Sequence, residues 1–161
     1  MTDDSRFEQQ VAQLAERLAA SGRMLATAES CTGGWIAKVL TDRAGSSAWF
    51  DRGFVTYSNQ AKQDMLGVQP ATLQRYGAVS RETVLEMAQG AVERSAAQYG
   101  VAVSGIAGPG GGTPDKPVGT VWLAWATPDS LEAVCERFDG DREQVRMQTV
   151  ARALRGLLER L

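Results

Sequence analysis

The 161-residue chain carries 19 acidic and 17 basic side chains, a net charge of −2, and no histidine. Without imidazole there is no Ser-His-Asp triad, Cys-His dyad, histidine-ligated zinc or histidine general base, so acid–base chemistry falls to carboxylate, lysine, tyrosine or backbone. The acidic balance argues against a protein that holds nucleic acid by neutralising phosphates, and no stretch approaches the ~18 apolar residues of a membrane span.

The first residues lack the basic start and apolar run of a secretory signal. Cys31 and Cys135 are therefore expected as reduced thiols in the cytoplasm. Phe7, Val11, Leu14 and Leu18 recur at helical spacing and stop before Gly22, which suits a C′ glycine. Residues 23–29 read as a short strand. A second helix is expected to begin within Ser30-Cys31-Thr32-Gly33-Gly34, with Trp35, Ile36, Val39 and Leu40 on it. Trp49 to Tyr57 is rich in aromatic and β-branched residues and reads as strand, although Trp49, Phe50 and Phe54 suit an interface as well as a core.

Ser58 or Asn59 can cap a helix from Gln60 to Leu66, closed by Gly67, and Pro70 suits the first turn of another ending at Gly77. Ser80 caps a longer helix with Val84, Met87, Ala88, Ala91 and Ser95 on one face. Val101 to Ser104 reads as a buried strand, followed by a glycine-rich loop from Gly105 to Gly119. Val121 to Trp125 is apolar on both alternating faces, as a sheet covered on both sides requires. Leu131 to Phe138 is a further strand, with Cys135 expected in the core. The last helix opens on Asp141 with Gln144 three residues on, a capping-box pattern. Alternating helices and strands imply a single domain over residues 1–161, a three-layer α/β/α sandwich. The two successive strands near 120–138 make its sheet mixed.

Four segments could carry chemistry. Ser30 to Gly34 puts a hydroxyl and a thiol beside the unpaired N–H groups of a helix start, which favour a phosphate or a developing oxyanion. Plain capping would explain the hydroxyls, but two glycines in a first helical turn cost roughly 1 kcal/mol each against alanine. Tyr57 ends a strand and Lys62 lies in the first turns of the next helix, where the dipole and any desolvation lower a lysine's pKa. Such a lysine can act as a general base. The bland alternatives are a solvated lysine and a core tyrosine. The loop holding Gly105, Gly110, Gly111 and Lys116 matches neither common nucleotide-binding motif, yet so long a loop beyond a buried strand is a usual ligand position. Arg142 and Arg146, one turn apart at a helix N-terminus, oppose the dipole; either anion binding or pairing with Asp139, Asp141 or Glu143 would explain them.

Ala28-Glu29-Ser30-Cys31-Thr32-Gly33-Gly34, Tyr57-Ser58-Asn59 with Lys62, Gly105 to Gly111 running to Lys116-Pro117-Val118-Gly119, and Gly140-Asp141-Arg142 with Val145-Arg146 occur in this order. Together they resemble the CinA C-terminal domain family over nearly the whole chain. Stand-alone members of that family are nicotinamide-nucleotide amidohydrolases. The resemblance implies hydrolysis of nicotinamide mononucleotide to nicotinate mononucleotide and ammonia, without metal or other cofactor. It puts the serine nucleophile on Ser30 and the family's tyrosine and lysine on Tyr57 and Lys62. Lys62, directly or through Tyr57, would take the Ser30 proton. N–H groups around Thr32, Gly33 and Gly34, or the Gly105 loop, would hold the oxyanion at ~3 kcal/mol per donor. Arg142, Arg146 or Lys116 would meet the phosphate, a reading that rests on charge and placement. Cys31 is the rival nucleophile, since a helix start lowers a thiol's pKa. The family also implies a homo-oligomer, a dimer or larger, acting on a small nucleotide. The alternative function is a regulatory or partner-recruiting module that binds a nucleotide without turning it over.

Overall fold

The computed structural model describes residues 4–161. Five strands, β1 (Leu25–Glu29), β2 (Phe50–Val55), β3 (Tyr99–Gly105), β4 (Thr120–Ala126) and β5 (Leu131–Arg137), form one sheet in the order β2-β1-β3-β4-β5. β1 pairs in parallel with both β2 and β3, whereas β4 runs antiparallel to β3 and β5 antiparallel to β4. The link from Ala126 to Leu131 is too short for a crossover, so these strands can only pair as a hairpin.

Among the described residues six α-helices cover the sheet: α1 (Glu8–Ser21), α2 (Trp35–Thr41), α3 (Asn59–Leu66), α4 (Pro70–Tyr76), α5 (Arg81–Glu93) and α6 (Arg142–Arg160). Alternation along the strands sorts the side chains between two cores. Leu25, Val101, Val103, Leu123 and Trp125 face α1, α2 and α6 through Val11, Leu14, Ile36, Val150 and Leu154. Ala26, Ala28, Ala102 and Ala124 face the other way, against Leu66, Leu73, Val84 and Met87 of α3, α4 and α5. This alanine face lets α5 lie close: a Cβ on Gly100 would stand 3.1 Å from the Ala88 carbonyl oxygen. The result is the expected three-layer α/β/α sandwich around a mixed sheet.

Local signals set the helix ends. The hydroxyls of Ser58 and Ser80 accept from the N–H groups of Ala61 and Thr83, and Asp141 and Gln144 cap each other's backbone. Four expectations need correction. Helix α2 starts at Trp35, because Gly33 and Gly34 take φ of +62° and +106°; they serve a left-handed turn, not a first helical turn. β2 is shorter than Trp49 to Tyr57, and Trp49 is buried in the core. α5 stops at Glu93, so Ser95 lies beyond its apolar face. Cys135 is exposed, since β5 is an edge strand with one open side.

The connections create the site. β1 leads through α2, on one face, to β2. The chain then returns through α3, α4 and α5 on the other face to β3, which lies on the far side of β1. Connections that run on opposite faces to strands on either side of β1 open a crevice at the carboxyl ends of the parallel strands, where ligands bind in open α/β sheets. No helix among the described residues is long and apolar enough to cross a membrane.

Candidate active site

Ser30 follows the last residue of β1 and its N–H still donates to the Val103 carbonyl of β3, so its backbone is an extension of the sheet. Two overlapping turns come next: Gly33 N–H donates to Ser30 O and Trp35 N–H to Thr32 O. Glu29 fixes their far end. Its carboxylate is buried at 1% exposure and accepts from the Thr32 hydroxyl at 2.5 Å, from Ile36 N–H at 2.8 Å and from Ala37 N–H at 3.0 Å. Burial pushes this carboxyl upward, and the donors, Gly34 N–H among them, pull it back. Glu29 thus does the capping of α2 that Gly34, with no side chain, cannot do.

The helix pole at α2 is consequently occupied from within. Of the N–H groups expected to serve an oxyanion, that of Gly33 is committed to Ser30 O, and that of Gly34 faces the Glu29 carboxylate electrostatically. Central positions of a turn leave their N–H groups unbonded, and among the described residues no carbonyl accepts from Cys31 or Thr32 N–H.

Lys62, one turn into α3, is 1% exposed, and its Nζ donates to Ser30 Oγ and to Thr56 O, both at 3.0 Å. Burial lowers its pKa from the ordinary lysine value; the nearby Cys31 sulfur acts weakly the other way. The two motifs, 32 residues apart in sequence, therefore meet by direct contact. Tyr57 stands apart from that contact. Its side chain is among the more exposed apolar groups, at 60%, and its hydroxyl accepts from an Arg142 Nη at 2.9 Å. The other Nη of Arg142 donates to Gly108 O at 2.8 Å, so Arg142 ties the β2–α3 connection to the glycine-rich loop.

Ser30, Cys31, Tyr57, Asn59, Lys62, Ser104, Gly105 and Arg142 share the lining of a cavity of about 230 Å³, which Ala78 and Val79 help to close. Both members of the Ser30–Cys31 pair reach it. Their chemistry differs: burial pushes the Cys31 thiol up to about 12, the reverse of what a helix start alone would do. Gly105 is fixed by packing, since a Cβ there would stand 2.6 Å from Val121 Cγ2.

Other expected residues lie outside this lining. Gly110 and Gly111 are on the exposed part of the loop. Lys116 donates to Tyr76 O at 2.8 Å. Arg146 reaches the Ser30 turn from the opposite side, donating from Nε to Cys31 O at 3.0 Å and from Nη2 to Thr32 O at 3.1 Å. Glu29, Asn59 and Ser104 lie in or beside the segments that the sequence singles out, but no role at the site was expected of them. Ser104, 1% exposed at the end of the buried strand β3, is the one a reader of the sequence could have found, because β3 ends where ligands bind. Among the described residues no cluster of acidic or thiol side chains is placed to hold a metal ion.

Known proteins match this arrangement along most of the chain. The family described as CinA C-terminal domain matches residues 7–161. Nicotinamide-nucleotide amidohydrolase PncC of Escherichia coli K12 is 56% identical over 156 residues, which is 96% of this chain and 94% of that protein. A CinA-like protein of Akkermansia muciniphila is 57% identical over 135 residues, 83% of this chain and 33% of that longer protein. Among solved structures, a competence/damage-inducible protein of Agrobacterium tumefaciens superposes with a TM-score of 0.93 at 50% identity, covering 95% of this chain and 94% of that one. A CinA superfamily protein of Escherichia coli superposes at 0.94 and 40% identity, covering 100% of this chain and 94% of that one. The chain belongs to the CinA C-terminal domain family.

Proposed function

We propose that this chain is a nicotinamide-nucleotide amidohydrolase, which converts nicotinamide mononucleotide and water to nicotinate mononucleotide and ammonia in pyridine nucleotide salvage. The observation that carries the reading is the buried Lys62 amine 3.0 Å from Ser30 Oγ at the wall of a cavity. It gives a serine an internal base in a chain without histidine. The similarity to the amidohydrolase of Escherichia coli supplies the substrate.

In this reading the neutral Lys62 amine accepts the Ser30 hydroxyl proton as Oγ bonds to the carboxamide carbon. The oxyanion is held by N–H groups at the Ser30 turn, those of Cys31 and Thr32, from which no backbone carbonyl accepts. The C–N bond then breaks as Lys62 returns its proton to the amide nitrogen, releasing ammonia. Water, deprotonated in the same way, attacks the ester; Lys62 returns the proton to Ser30 Oγ as the ester C–O bond breaks, freeing nicotinate mononucleotide. Direct transfer is favoured over passage through Tyr57, because the Tyr57 hydroxyl is held by Arg142 and no contact joins it to Lys62. The cavity of about 230 Å³ is below the ~300–1,000 Å³ of usual small-molecule sites, so it suits the pyridine carboxamide alone. Ribose and phosphate would then extend past the mouth, where Arg142 stands. Residues 1–161 act as one domain, in the cytoplasm, as a homo-oligomer and without nucleic acid.

Incubating the purified protein with nicotinamide mononucleotide tests the reading. Ammonia and nicotinate mononucleotide should appear in equal amounts. Tight binding without either product would overturn it in favour of a nucleotide-binding module.

A further inference from the structure

Arg146 has the charge and the helix-start position of an anion ligand, yet the structure uses it differently. It does not line the Ser30 cavity. It lines a groove on the other side of the turn with Thr32, Gly33, Gly34 and Trp35, and its guanidinium lies 5.5 Å from the Trp35 ring. Its two directed hydrogen bonds go to consecutive carbonyls, Cys31 O and Thr32 O. Such a planar fork holds both peptides at a fixed spacing, which a lysine's single ammonium cannot reproduce.

The choice of carbonyls matters. Cys31 C=O and Thr32 N–H belong to one peptide unit, and a trans peptide points them in opposite directions. The Thr32 N–H is one of the two donors the turn leaves unbonded. A charged donor on the carbonyl polarises the peptide and strengthens its N–H as a donor, by roughly 10–30% per bond in a chain of hydrogen bonds. Thr32 C=O likewise shares a peptide with Gly33 N–H, whose bond to Ser30 O closes the turn. On the opposite side, Glu29 anchors the same segment through Thr32, Ile36 and Ala37.

We propose that Arg146 is a positioning residue for Ser30: by holding the Cys31 and Thr32 carbonyls it sets the nucleophile's turn and primes the Thr32 N–H for the oxyanion, and it is not a ligand of the substrate phosphate. This rests on the amidohydrolase reading and deepens it. A phosphate ligand acts only on substrates that carry phosphate. A brace acts on every substrate that Ser30 attacks, and through kcat, because misplacing a nucleophile by about 1 Å can cost on the order of 10²-fold.

The experiment compares wild type with Arg146→Lys and Arg146→Ala on nicotinamide mononucleotide and on nicotinamide riboside, the same carboxamide without phosphate. Both variants should lose at least about tenfold in kcat, by the same factor on the two substrates, with KM within about threefold. Added guanidinium should partly restore Arg146→Ala. A loss confined to the mononucleotide and expressed as a raised KM, or no loss, overturns the proposal. Should Arg146→Ala fail to fold, Arg146→Lys decides by the same ratio. A fluorophosphonate probe adds a readout independent of substrate. Ser30 Oγ bonds to its phosphorus, fluoride leaves and Lys62 takes the proton. Slower labelling of Ser30 in Arg146→Lys is expected even if neither substrate is turned over by wild type, a result that would defeat the amidohydrolase reading alone. Equal labelling rates overturn the brace.

Discussion

Strands β2, β1 and β3 run parallel and end at one edge of the sheet, where they deliver Tyr57 and Lys62, Ser30, and Ser104 with Gly105 to one cavity. Strands β4 and β5 turn back as a hairpin and line none of it. Their half carries packing instead. Trp125 of β4 is fully buried, its Nε1 donates to Ala153 O at 3.0 Å, and Arg152 and Arg160 of α6 lie 5.0 and 4.3 Å from its ring. A Cβ on Gly156 would collide with that ring. The contrast teaches that polarity of strands, and not burial, divides this sheet: both halves are closely packed, but only parallel strands bring several carboxyl ends together without intervening hairpins.

Substitutions in the two halves should therefore fail in different ways. The largest effect is expected for Ser30→Ala, with ammonia release from nicotinamide mononucleotide falling by about 10³-fold or more and the melting temperature little changed. Lys62→Met should follow, losing about 10²–10⁴-fold in kcat. It also carries a stability signature. Burial keeps the Lys62 pKa below the ordinary 10.5, so between the two values the unfolded chain binds more protons than the folded one, and stability rises with pH. Wild type should thus gain on Lys62→Met in melting temperature as pH rises toward 10.5, and a gap that widens the other way would contradict the buried amine.

Gly156→Ala inverts the pattern. Overpacking against Trp125 should cost about 1–3 kcal/mol in denaturant unfolding, with kcat per folded molecule unchanged. The smallest effect is expected next to the nucleophile. Cys31→Ser should keep activity within about threefold, and iodoacetamide should leave wild type active, since a thiol held near 12 is protonated at neutral pH. Rapid inactivation that Cys31→Ser abolishes would move the nucleophile to sulfur.

What the sequence discloses follows the range of the interactions. Helix ends at Ser58, Ser80, Asp141 and Gly67 depend on neighbours within a few residues, and the residues themselves announce them. The α/β layering follows from alternating periodicities. Sheet order is not local, so Cys135 reads as core until β5 proves to be an edge. The same holds at the site. Ser30 and Lys62 are each plausible alone, and only the family resemblance put them to work together; their contact depends on β2 and β3 flanking β1, an order that nothing local in the sequence discloses. Arg146 looks like an anion ligand because charge is visible in sequence and the carbonyls it holds, 114 and 115 residues away, are not. Glu29 shows the converse: a carboxylate ending a buried strand looks out of place until the seven residues to Ile36 N–H are folded into a turn.

The central claim, that Lys62 activates Ser30 by direct contact, is tested most directly by the pH dependence of kcat/KM for nicotinamide mononucleotide in wild type and Tyr57→Phe. Attack requires the neutral amine, so the account predicts an acid limb that rises through a pKa below 10.5 and stays at the same pH in Tyr57→Phe. An acid limb that moves with Tyr57→Phe, or that survives in Lys62→Met, would contradict it.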